Sequence, residues 1–221
     1  MSRLLPAILC SVALGALFAT TPVYADAALH AAVLHISSQW ARIKYDVHGA
    51  DRQMRQLRLL ERQAAGLAKR YPKHATPLLW QGIVASEEAA RAGLFDKLGY
   101  AKKARRLFDE AKALDPDAGH GGVWLSLGVL YYRVPGFPFG FGSDSKARRD
   151  LRRALSIDPD GLDANYFYGD FLFGEGKYAQ ARKALQRGLQ APIDAQRPIW
   201  EKGRRLQIRA LLARIRRKER R

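Results

Sequence analysis

One pattern recurs along the chain and restricts its fold more than any other feature. Small or apolar residues at Ala104, Phe108 and Ala111 are followed by Pro116, and the same offsets return at Ala147, Leu151, Ala154 and Pro159. Steps of four and three residues put side chains on one face of an α-helix. The proline comes five residues later, where it cannot continue the helix. A weaker copy is Leu60, Ala64, Leu67 and Pro72, and a fourth is Ala181, Leu185 and Gly188, with Pro192 one residue early. No segment reads as a strand.

A partner helix is legible before each copy. Trp124, Leu127, Gly128 and Tyr131 share one helical face upstream of Ala147. Gly169 stands 12 residues before Ala181; Gly128 stands 19 before Ala147, and Gly82 stands 22 before Ala104. The second and third units therefore carry insertions of ten and seven residues relative to the last. The glycine is expected where a neighbouring helix packs close to its backbone, with the alanine of the second helix at the same crossing. The patterning predicts helices near 29–46, 52–70, 76–92, 100–114, 121–133, 144–156, 162–174, 177–190 and 197–217. Each pair hides its apolar face only by stacking on the next. Ile208, Leu211, Leu212 and Ile215 give the last helix one apolar face, suited to capping the stack.

The motifs W-x2-L-G-x2-Y (Trp124–Tyr131) and A-x3-L-x2-A-x4-P (Ala147–Pro159) resemble tetratricopeptide (TPR) units, and the resemblance covers roughly residues 52–195. It implies an all-α, right-handed solenoid of antiparallel helix pairs with a C-terminal capping helix. Repeats are expected at about 52–75, 76–117, 121–160 and 162–195, with the cap at 197–217. It also implies a scaffold or peptide-binding module rather than an enzyme. The stretch 134–173, taken with an export signal and a helical stack, resembles periplasmic T components of TRAP transporters. That resemblance implies a helical partner of a solute-binding protein.

The export signal is read from the first 25 residues. Arg3 is followed by an apolar run from Leu4 to Phe18, and Val23-Tyr24-Ala25 supplies a cleavage site. The run is short for a membrane span of ~20 residues; the competing reading is an uncleaved anchor. Residues 26–221 are expected to form a single periplasmic domain. The only cysteine, Cys10, lies within the apolar run, so that domain has no disulfide. Lys and Arg number 38 against 21 Asp and Glu, a formal charge of +17. Such an excess favours anionic partners, though arginine-rich outer helix faces are often merely solvated. Export argues against nucleic acid.

Nothing in the chain assembles a catalytic or metal centre. The histidines of the mature chain, His30, His35, His48, His74 and His120, form no H-E-x-x-H, and no Cys/His cluster exists for zinc. There is no G-x-S-x-G elbow, phosphate loop or dinucleotide fingerprint. No cofactor, metal or catalytic residue is expected. Three segments are candidate contact sites instead. In the loop PGFPFGFG, Phe137, Phe139 and Phe141 alternate with glycine and proline; they either plug the seven-residue insertion or form an apolar patch for a partner or solute. By repeat position Leu125, Val129, Tyr132, Tyr166, Asp170 and Phe173 line the concave face. There Asp170 would select a cationic group, unless it pairs internally with Arg133. The final 26 residues hold 11 Lys and Arg against two acids, ending on Arg214, Arg216, Arg217, Lys218, Arg220 and Arg221; they are candidates for an anionic membrane surface. Two functions follow: a scaffold for a protein or peptide, or a small-solute-binding component with an apolar cavity near Phe139.

Overall fold

The computed structural model describes residues 22–220; residues 1–21 of the expected signal segment 1–25, and Arg221, lie outside the described residues. Among the described residues there are nine helices and no strand: α1 (Pro22–Tyr45), α2 (Ala50–Arg70), α3 (Ala75–Arg91), α4 (Leu94–Leu114), α5 (Ala118–Arg133), α6 (Asp144–Ile157), α7 (Leu162–Gly174), α8 (Tyr178–Leu189) and α9 (Pro198–Glu219). Most boundaries fall within a few residues of the sequence expectation. Two helices start early. α1 begins at Pro22, and α4 begins at Leu94 rather than near residue 100, because Gly93 ends the preceding turn and Asp96 favours the positive first turn of the helix. The ten-residue insertion is therefore mostly helix. α5 opens on a left-handed turn, with Gly119 at φ 64°, His120 at 52° and Gly121 at 79°. Two of those three positions carry the residue for which positive φ is nearly free.

Consecutive helices pack as antiparallel pairs, α1 with α2, α3 with α4, α5 with α6 and α7 with α8. The buried rows are those of the repeating pattern: Ala104, Phe108 and Ala111 on α4, Ala147, Leu151 and Ala154 on α6, Ala181 and Leu185 on α8. In α3, α5 and α7 the glycine of the first helix faces chiefly the large residue four positions after the alanine. A Cβ on Gly128 would lie 2.8 Å from Leu151 Cγ, one on Gly169 would lie 2.7 Å from Leu185 Cγ, and Gly82 meets the Phe108 ring in the same way.

The end of the chain departs from a simple cap. The first helices of the pairs touch in sequence, α1 to α3, α3 to α5 and α5 to α7; α9 then packs on α7 and α8 and returns to α1. The inner layer is thus a closed circuit of five helices. Its closure is specific. Gly203 has no side chain where the Tyr45 ring lies, and the Tyr45 hydroxyl donates to Gln207 Oε1 at 3.1 Å. Arg204, 1% exposed, donates through Nε to Asp163 at 2.5 Å and stacks over Tyr166 and Phe167 at 4.4 and 4.5 Å. Burial opposes that charge, but Asp163 more than compensates and keeps the guanidinium protonated. Trp200 Nε1 donates to the same carboxylate at 3.2 Å. Ile208 and Ile215 are fully buried in the core shared by α1, α2, α7, α8 and α9.

One buried acid lacks such compensation. Glu88 on α3 is 2% exposed and its Oε2 has no hydrogen-bond partner among the described residues. Burial, reinforced by the Glu61 charge and opposed by Lys103 and Arg58, pushes its carboxyl up to about 6. A folded-state value above the unfolded one gives stability that is present below about pH 4.5 and lost as pH rises through 6. At ~1.4 kcal/mol per unit, the loss is roughly 2 kcal/mol. We expect Glu88→Gln to melt several degrees above the unsubstituted chain at pH 7.5, with the two converging at pH 4.5. Melting curves that differ equally at both pH values would refute the titration.

Candidate functional site

The inner face of α5 and α7 holds a compact polar cluster. Tyr132, at the end of α5, donates its hydroxyl to Asp170 Oδ2 at 2.8 Å, and Arg133 pairs with the same oxygen. Burial, followed by the Asp170 charge, pushes the phenol of Tyr132 well above its usual range, so it acts as a donor at any physiological pH. Its ring packs against Phe171 at 5.7 Å, and the Arg133 guanidinium lies over it at 5.0 Å. The Asp170 charge is therefore already answered within the protein. The expectation that it selects a cationic ligand is replaced by the internal pair with Arg133. It is Arg133, 54% exposed, that meets solvent. Leu125 and Val129, half-buried on the same helix, continue this wall.

The other expected members of the wall lie under α9. Tyr166 sits beneath the Arg204 guanidinium and packs edge-on with Phe167. Phe173 is covered by Arg214 at 4.7 Å and packs against Tyr178. Tyr166 and Phe173 thus anchor the closing helix, and Leu125, Val129, Tyr132 and Asp170, all half-buried, remain as the candidate wall.

Across the ring lies a second cluster that the sequence reading missed. Glu87 on α3 pairs with Lys44 of α1 and with Arg91 at 2.5 Å. Burial would raise this carboxyl, but the two cations hold it down at about 2. Burial lowers Lys44, aided by the nearby Arg204 and Arg91 charges and resisted by Glu87. The Glu87–Arg91 half was visible as an i,i+4 pair; the Lys44 half required knowing that α1 abuts α3.

The phenylalanine loop divides. Phe141 turns inward against Tyr131, ring centres 6.2 Å apart, and Arg105 of α4 lies 5.0 Å from its ring. Phe137 and Phe139 point out, 94% and 79% exposed. The loop neither plugs the insertion with all three rings nor encloses a cavity around Phe139. In the tail, Arg216, Arg217, Lys218 and Arg220 are exposed on the last turns of α9 and beyond. Arg214 is exposed too, though it lies over Phe173. Among the described residues no group of His, Cys, Asp and Glu is placed to hold a metal ion, and no helix is long and apolar enough to cross a membrane.

Residues 145–196, which span α6 to α8 and nearly all of the α8–α9 connection, match the family model for the tetratricopeptide repeat. The fold is a tetratricopeptide-repeat fold. A thermophilic TPR protein from Thermus thermophilus superposes with a TM-score of 0.56 at 16% identity, covering 87% of this chain and 93% of its own. No curated protein matches this chain. TPR proteins are in general non-catalytic scaffolds for other proteins.

Proposed function

We propose that the chain is an exported TPR scaffold that holds a protein or peptide partner on the inner wall of α5 and α7. The observation that carries this is the Tyr132–Asp170–Arg133 cluster. It is a preorganised set of hydrogen-bonding groups beside the apolar Leu125 and Val129, on the stretch of inner face that α9 leaves uncovered. A rigid apolar wall edged by one exposed guanidinium suits a peptide with an apolar residue and a carboxylate or carbonyl within reach of it. The apolar run and cleavage site at 1–25 support action in the periplasm. The stretch 134–173 supports a place beside a solute-binding protein of a transporter. The alternative, a small-solute-binding component, loses its main support with Phe137 and Phe139 exposed.

The test is capture from periplasmic extract by the wild-type chain and by Arg133→Ala/Asp170→Asn. That variant removes both charges of the pair together, so no unpaired charge is left beside the half-buried Tyr132, and the asparagine keeps an oxygen to accept the Tyr132 hydroxyl. Its melting temperature should stay within a few degrees. Recovery of the partner should fall about tenfold, the equivalent of one lost charge-assisted hydrogen bond. Undiminished recovery with the fold intact would reject this wall as the binding site.

A further inference from the structure

Four of the most exposed large apolar side chains are not scattered. Leu94 and Phe95, 84% and 97% exposed, open α4 directly after the short turn from α3; Phe137 and Phe139 occupy the loop from α5 to α6. In an alternating antiparallel stack, every connection from a first helix to its second lies at the same edge, and the connections between repeats lie at the other. Both insertions therefore project from one edge, in neighbouring repeats. The α7–α8 turn follows on that edge, and the end of α9 is fastened to it: Arg182, in the second turn of α8, pairs with Glu219 at 2.7 Å, and Arg214 lies over Phe173 at the end of α7. The basic tail and the phenylalanine loop, unrelated in sequence, share an edge.

Basic residues outnumber acids in the segments that form that edge. From Ala92 to Arg106 the basic residues are Lys97, Lys102, Lys103, Arg105 and Arg106, against Asp96 alone. From Arg133 to Arg149 they are Arg133, Lys146, Arg148 and Arg149, against Asp144 alone. Six of these nine also pair with carboxylates: Lys103 with Glu61, Arg105 with Asp109, Arg106 with Glu110, Arg133 with Asp170, Arg148 with Glu175 and Arg149 with Asp150. The attraction to an anionic surface therefore rests on Lys97, Lys102 and Lys146 together with the exposed tail residues Arg216, Arg217, Lys218 and Arg220. The phenylalanine loop is also built to face outward. Gly142 N–H donates to Pro135 O at 2.9 Å, Phe139 N–H to Gly136 O at 3.0 Å and Ser143 N–H to Tyr131 O at 2.8 Å, while Arg105 clamps Phe141 beneath. The backbone is held so that Phe137 and Phe139 stay in solvent. Side chains at Gly140 and Gly142 would collide with the opposite arm of the loop.

We propose that this edge docks on an anionic lipid bilayer, with Leu94, Phe95, Phe137 and Phe139 entering the boundary between headgroups and acyl chains. A protein-binding site gathers its apolar residues into one closely packed patch. Here they project from two separate segments with lysine and arginine between them, the arrangement that inserts into a soft interface and is drawn there by surface charge.

The chain from Asp26 to Arg221 serves for the test, because every core residue among the described residues lies between Leu29 and Ile215 and the segment contains no cysteine. One variant, Phe139→Cys, carries an environment-sensitive fluorophore on the proposed edge; Lys73→Cys carries it on the α2–α3 turn at the opposite edge. With vesicles of phosphatidylcholine containing phosphatidylglycerol, emission at position 139 should rise several-fold and shift to the blue, and emission at position 73 should not change. With phosphatidylcholine alone neither should respond. Phe95→Ser/Phe137→Ser/Phe139→Ser should weaken vesicle binding about tenfold or more with helical content unchanged, since all three side chains are exposed. Binding that leaves the probe at 139 in water is adhesion by charge alone and overturns the proposal. So does an absence of vesicle binding accompanied by loss of a protein partner in the triple variant, which would make the edge a protein interface.

Discussion

A chain stopped at Gln207 will melt far below the intact protein. It loses Ile208, Leu211 and Ile215, at 0%, 4% and 0% exposure. At about 1.5–3 kcal/mol for each buried aliphatic side chain, the loss is of order 5–8 kcal/mol. For a domain of this size 1 kcal/mol moves the melting temperature by roughly 2–4 °C, so a fall of well over ~10 °C is expected by circular dichroism. The location of the damage is the sharper measurement. A plain end cap protects only the last repeat. Here α9 also packs on α1, so hydrogen exchange should lose protection in α1 as well as in α7 and α8. Unchanged protection in α1 would show that residues after Gln207 only cap the stack and that the contacts of Gly203 and Gln207 with Tyr45 hold α1 without them.

The second large effect is at the helix crossings. Gly128→Val places a Cβ 2.8 Å from Leu151 Cγ and 3.1 Å from the Leu151 backbone nitrogen. The side chain alone cannot yield, so α5 and α6 must separate. Overpacking of this kind costs typically about 1–3 kcal/mol and sometimes more. The expected cost is at the upper end, because Leu151 is itself fully buried. Gly66→Ala is the matched control. It too replaces a mid-helix glycine, on α2, but no heavy atom lies within 4 Å of the new Cβ. Relief of glycine's backbone entropy should then stabilise by roughly 0.5–1 kcal/mol. Urea midpoints that move in opposite directions for the two variants are the expected result; a harmless Gly128→Val would contradict the close crossing.

What was legible in the sequence, and what was not, divides by range. Each pair is a local object. Ala147, Leu151 and Ala154 repeat at helical spacing, Gly128 precedes them at a set distance, and all four are buried as that spacing implies. The candidate site was readable as far as local position decides it. Tyr132 and Asp170, one repeat apart, do meet across α5 and α7, because repeat position fixes which way a first-helix residue faces. Tyr166 and Phe173 face the same way but are covered, and what covers them is set by Arg204 and Arg214 on α9. Nothing in the spacing of α9 states where it goes. Its apolar face at Ile208, Leu211 and Ile215 fits a cap, while the residues that route it toward α1 are Gly203 and Gln207, which carry no periodic signal. The Lys44–Glu87 pair escaped notice for the same reason. The Phe loop failed differently: its composition allowed inward or outward packing, and the choice rests on a clamp from Arg105, on the second helix of the preceding pair.

The contact of α9 with α1 has a consequence for how such a chain can change over time. An open solenoid tolerates duplication or loss of a unit, because each repeat depends only on its neighbours. Here the first and last helices must meet. A fifth helix pair would carry α9 past Tyr45, and a missing pair would leave it short, stranding Gly203 and Gln207 without the Tyr45 ring and hydroxyl they fit. The number of repeats is therefore a fixed structural parameter of this protein, and its lineage can vary in length only where the circuit is not broken, in the connections at its edges.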